Sequence, residues 1–153
     1  MVIYQDIIKI FTSIVLGYLI GYERRVKEKP VGRRTGALIS LGATLAVLVT
    51  FKLNKYQMDF DAIRAIAYYL VALGFIGGGI VRTRGTKVEN ITTGALILPV
   101  ALVGCFVGLG EYILGIFTSI VIFLLLKLKN VQIGFFIKRK KKNKKRRKKN
   151  VSK

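Results

Sequence analysis

The chain has 153 residues, 52% of them hydrophobic, yet it carries 27 Lys or Arg against 7 Asp or Glu, a formal net charge of +20. A water-soluble domain of this size does not combine so large an apolar share with that charge, so composition excludes an ordinary soluble enzyme or binding module. One Cys and no His exclude an intrachain disulfide framework and a Cys/His zinc site.

A hydrocarbon core of about 30 Å is crossed by about 20 mostly apolar helical residues. Five stretches fit that requirement. The first, Ile3–Tyr22, has no basic segment before it and no Ala-x-Ala-like site after it. It therefore predicts a retained helix and not a signal peptide. Its Asp6 and Lys9 lie within about two turns of the end, where long side chains reach for headgroups. The second stretch is Thr35–Phe51. The third, Ala62–Val81, has Arg64 near its start and ends in Gly77-Gly78-Gly79. Each of those glycines costs a helix interior about 1 kcal/mol against Ala. They read either as very close packing or as a break facing a cavity, as in discontinuous transporter helices. The fourth, Ile91–Leu109, contains Pro99, a candidate kink or hinge, and Cys105, read as a small packing residue. The fifth, Tyr112–Leu126, follows after only Gly110-Glu111, which requires a tight helical hairpin.

Beyond it, the tail 129–153 is almost purely cationic: Lys138, Arg139, Lys140, Lys141, Lys142, Lys144, Lys145, Arg146, Arg147, Lys148 and Lys149 leave only Asn143 between them. Such a segment is expected to be disordered and drawn to anionic lipid, with about 1 kcal/mol per basic residue near the surface. Electrostatic binding of RNA or an acidic ribosomal surface is the alternative, and sequence-specific nucleic-acid binding is not expected. The predicted fold is thus an all-α membrane protein, a bundle of five transmembrane helices over 1–128 with a disordered basic C-terminal tail.

The charges sort by side. With five crossings, 23 Lys or Arg fall with the first loop, the third loop and the tail, and 4 fall on the other side. The positive-inside rule then puts the N-terminus outside and the C-terminus in the cytoplasm.

Lipid is as apolar as Leu, so helices associate where small residues let backbones approach. Gly17/Gly21, Gly32/Gly36, Gly42/Ala46, Gly74/Gly78 and Gly104/Gly108 are such pairs. The first and third loops share one membrane face and bring Glu23, Arg34, Arg82, Arg84 and Glu89 together as a candidate polar cluster. Topology accounts for the basic residues but not for Glu23, which is expected to pair with Arg34 or Arg24. Asn90 and Glu89 suit the start of the fourth helix. On the opposite face, Asp6, Asp59, Asp61 and Glu111 could attract a divalent cation but read as ordinary exposed charges, and no metal site is assigned. No carboxylate sits near a helix midpoint, where ion pathways carry one. No nucleophile–base pair or phosphate loop occurs, so neither enzymatic activity nor a cofactor is expected.

Four linked segments resemble the MgtC/SapB family of bacterial inner-membrane proteins: Gly17-Tyr-Leu-Ile-Gly-Tyr-Glu-Arg24, Gly32-Arg-Arg-Thr-Gly-Ala-Leu-Ile-Ser-Leu-Gly-Ala43, Gly74-Phe-Ile-Gly-Gly-Gly-Ile-Val81 and Val88-Glu-Asn-Ile-Thr-Thr-Gly-Ala95. The likeness covers the family's membrane domain. It implies five helices with the motif loops in the cytoplasm, and it marks Glu23, Arg24, Arg34, Thr35, Thr92 and Thr93. The chain departs from the family after Thr92-Thr93, where two Ala and a Trp usually follow; here Gly94-Ala95 follow and Trp is absent. The resemblance implies a regulator of membrane physiology linked to magnesium limitation. Such a protein would act through a membrane-protein partner or as a homo-oligomer; the alternative is a subunit of a divalent-cation transporter or channel.

Overall fold

A computed structural model describes residues 2–26, 30–55 and 61–127. Five helices make up the bundle: α1 Val2–Val26, α2 Arg33–Lys55, α3 Ala62–Ile80, α4 Ile91–Leu109 and α5 Tyr112–Lys127. At 1.5 Å per residue, α1 and α2 are about 35 Å long and α3 and α4 about 28 Å. These four are long and apolar enough to cross a membrane, and α5 is a shorter apolar helix of about 24 Å. The protein is therefore an all-α membrane bundle, as its hydropathy predicts. Lys138–Lys149 and Tyr56–Phe60 lie outside the described residues, and so do the expected disorder of the tail and the role of Asp59.

Local chemistry sets the helix ends. Asp61 caps α3, its carboxylate accepting from the Arg64 amide at 3.0 Å, and pairs with the Arg64 side chain at 3.3 Å. This satisfies one of the orphan amides of the first turn. It also explains Asp61 without invoking a cation. At the end of α4, Gly110 takes φ +92°. Its N–H and that of Glu111 then return to Val107 and Phe106 carbonyls at 3.0 and 2.9 Å. Only glycine adopts this left-handed turn without strain, and the motif closes the helix so tightly that α5 starts at once.

The third loop differs from expectation. It is an antiparallel hairpin, β1 Arg82–Arg84 with β2 Lys87–Glu89, turning at Gly85 with φ +58°. Arg82 lies opposite Glu89 in its register, so the acidic residue directly before the N-cap of α4 is also a cross-strand neighbour of a cation. Asn90 does stand at the N-cap of α4, but in the left-handed region (φ 65°), and its side chain makes no cap bond. Its carbonyl accepts from the Thr93 and Gly94 amides, both at 2.9 Å.

The core lies where α2 and α4 meet, with α1 against α2 and α3 against α4. A helix apolar on every side belongs at the centre of a bundle, and α4 is buried from Thr93 to Gly108 along most of its surface. The Thr44 hydroxyl ties α2 to α4, 2.8 Å from the Gly104 carbonyl. The Tyr69 hydroxyl ties α3 to α2, donating to the Ile39 carbonyl at 3.2 Å. Cys105 is buried, as its apolar surroundings predict.

A candidate polar site at the α1–α2–α4 junction

Two backbones touch near the end of α1. A Cβ added to Gly17 would lie 2.5 Å from the Gly36 carbonyl oxygen, and one on Gly36 would lie 2.5 Å from that of Gly17. A Cβ on Gly21 would lie 2.5 Å from the Gly32 oxygen. No side chain fits at these positions, so α1 and α2 approach closer than any larger residue allows. The consequence is felt one turn later. Helix α1 runs on past Tyr22, the end expected from hydropathy, and carries Glu23 and Arg24 into the bundle, where they are 8% and 5% exposed.

There the guanidinium of Arg24 donates from Nη2 to the hydroxyl of Thr93, 69 residues away and itself 1% exposed. This short bond joins the last turns of α1 to the first turn of α4. Its cost is considerable. A guanidinium leaves water, its Nε finds no acceptor among the described residues, and it stands at the positive end of the α4 dipole. The buried Glu23 next to it supplies the compensating sign of charge. A group held against desolvation and dipole alike marks a site whose geometry is imposed by the whole fold.

The other residues of the expected cluster separate from this pair. Arg34, Thr35, Arg82 and Glu89 are exposed, and Thr92 is half-buried beside Thr93. The glycine contact bears on this separation: Gly36 in the first turn of α2 is buried against Gly17 of α1, while Arg34, two residues earlier, is exposed.

The packing glycines divide likewise. Gly17 and Gly21 meet α2, and Gly77 meets Gly94, whose added Cβ would lie 2.5 Å from the Gly77 oxygen. A Cβ added to Gly74, Gly78 or Gly79 would meet nothing within 4 Å among the described residues, and all three are exposed. Helix α3 continues unbroken through Gly77–Gly79, and α4 continues through Pro99. No break of the discontinuous-helix kind is present in either.

Three arrangements escaped sequence reasoning. Lys9 does not reach for headgroups: its Nζ donates to the Gly108 carbonyl at 3.0 Å, where a cation suits the negative end of α4. Asp6 pairs with Lys52 at 2.7 Å, joining α1 to α2. Arg33 stacks on Tyr18 and Tyr22. The last had a visible signal, two tyrosines four apart on one helix; the first two join residues whose proximity no spacing rule reveals.

The chain matches the MgtC family over residues 10–133. It is 32% identical to YhiD of Escherichia coli K12, named a putative magnesium transporter, over 128 residues that make up 80% of this chain and 60% of YhiD. It is 31% identical to the protein MgtC of Salmonella typhimurium LT2 over 113 residues, 73% of this chain and 47% of that one. The chain thus spans about half the length of the curated relatives it matches. No solved structure matches.

Proposed function

Because the chain belongs to the MgtC family, we propose that it is a non-enzymatic plasma-membrane protein that adjusts membrane physiology under magnesium limitation, through a partner membrane protein seated against its bundle. The observation that carries this reading is the Arg24–Thr93 tie beside the buried Glu23. It fastens α1 to α4 at one end of the bundle, with a carboxylate beside the guanidinium. Such a junction suits a rigid docking body better than an ion path. The outward side of α3, where Tyr68, Val71 and Phe75 are exposed beside three uncovered glycines, offers room for a partner helix.

A second reading, a subunit of a divalent-cation transporter or channel, is favoured by the name of YhiD and by the carboxylate of Glu23 at the bundle end. Proteoliposomes of the purified protein, loaded with a magnesium indicator, separate the two. Uptake equal to that of empty vesicles is expected. Magnesium-dependent uptake that Glu23→Gln abolishes would replace the first reading by the second.

In this proposal α5 completes a fifth crossing, leaving the N-terminus outside and the basic tail beside the anionic cytoplasmic leaflet. A periplasm-dependent reporter fused after Lys153 should stay silent and a cytoplasmic one should be active. The reverse result would require an even number of crossings.

A further inference from the structure

Tyr18 and Tyr22 stand one helical turn apart on α1, so their rings share a face. The Arg33 guanidinium lies 5.7 Å from the centre of one ring and 5.3 Å from that of the other, and its Nη1 donates to the Tyr18 hydroxyl at 3.2 Å. Both distances are within the roughly 6 Å reach of a cation–π contact. The rings hold the guanidinium in place and consume one of its five N–H donors. Arg34 follows, exposed, on the same helical turn. Among the described residues, the ion pairs Lys52–Asp6 and Arg64–Asp61 involve neither arginine.

Two guanidiniums, one of them pre-oriented by the tyrosine rings, therefore sit together at an end of membrane-crossing helices, where water meets headgroups. The surface leading from them into the bilayer is apolar. Leu38, one turn below Arg34, is 66% exposed, and Val15, one turn below Tyr18 and Leu19, is also exposed. Cationic head, aromatic collar and apolar lane follow one another in the order of headgroup, glycerol and acyl chain. We propose that Arg33 and Arg34 bind the phosphate of an anionic phospholipid whose chain lies along Leu38 and Val15. Guanidinium forks match phosphate oxygens geometrically, which lysines do not. A zwitterionic lipid fits less well, because its own cation would meet two arginines.

The basic tail also attracts anionic lipid, so the test must be local. Full-length protein in phosphatidylcholine nanodiscs would receive a small fraction of either phosphatidylglycerol or phosphatidylcholine bearing a diazirine on its acyl chain. After irradiation and digestion, adducts are mapped. Phosphatidylglycerol adducts are expected on the 15–38 segment, well above those from phosphatidylcholine. R33Q/R34Q should lower them about tenfold, the equivalent of about 1.4 kcal/mol, while adducts on 128–153 stay constant as the internal reference. R34Q alone, at an exposed position, should give a severalfold loss without touching the fold. Equal labelling by both lipids, or labelling that survives R33Q/R34Q and R34Q, would overturn the proposal. So would suppression of the 15–38 adducts, but not the tail adducts, by excess inorganic phosphate, which would assign the site to a free anion.

Discussion

Arg24→Ala is expected to destabilise the bundle by about 2–3 kcal/mol, the scale for deleting a buried hydrogen bond to a charged group. That is a large fraction of the 5–15 kcal/mol typical of a folded domain. The argument rests on burial and reach. Arg24 bridges α1 to Thr93 across 69 residues, and no side chain from solvent can substitute for it in so closed a position. Thr93→Val should cost about 1–3 kcal/mol, because the guanidinium then loses its acceptor while remaining buried. Thr93→Ser retains the hydroxyl and should lie near the parent. Arg24→Lys should resemble Ala more than Arg, since an ammonium lacks the planar fork. Thermal unfolding of the detergent-solubilised protein, followed by size-exclusion monitoring, measures all four. If Arg24→Ala and Thr93→Val each melted with the parent, the tie would be incidental and the proposed docking body would lose its support.

Gly17→Val is expected to prevent the native packing of α1 on α2. Even the first atom of a side chain would stand 2.5 Å from the Gly36 carbonyl and 2.8 Å from the Ser40 Cβ. Overpacking of a core side chain commonly costs about 1–3 kcal/mol, and here the obstacles are a main-chain oxygen and a Cβ, neither of which can rotate away. The expectation is loss of monodisperse protein. Gly78→Ala and Gly79→Ala are the controls. Both positions open to empty space, so the added methyl meets nothing and the helix gains up to about 1 kcal/mol of propensity. A parent-like or raised melting temperature is expected for each in detergent. A collapse at Gly78 as severe as at Gly17 would show that the assignment of α3 faces is wrong.

The polar cluster was legible in part. Residue type and position selected Glu23, a lone acid at a basic end of an apolar run, and the family resemblance marked Arg24, Thr92 and Thr93. Which of them meet was not legible. Arg24 rather than Arg34 turns inward because the Gly17–Gly36 and Gly21–Gly32 contacts set the rotation of α1 and α2 about their axes. A sequence shows that glycines recur at four-residue spacing; it does not show which partner each will touch. The same limit explains Gly74 and Gly78, whose spacing equals that of Gly17 and Gly21 but whose surroundings are open. The hairpin at Arg82–Glu89 was missed for a different reason. Strands of three mainly charged and polar residues have no apolar alternation to reveal them, and only the Gly85 turn stood out.

The chain's own order of residues determined the class of solvent, the number of helices and their approximate limits. Those follow from one-dimensional quantities, namely apolar run length, turn chemistry and the tally of basic residues between runs. The tertiary structure decided everything that depends on helix rotation and depth. It put Lys9 on the α4 carbonyls, Asp6 on Lys52, Arg33 between two tyrosine rings and Arg24 on Thr93. Rotation is set by the closest backbone approach among five helices at once, and that is a property of the assembled bundle rather than of any one of its segments.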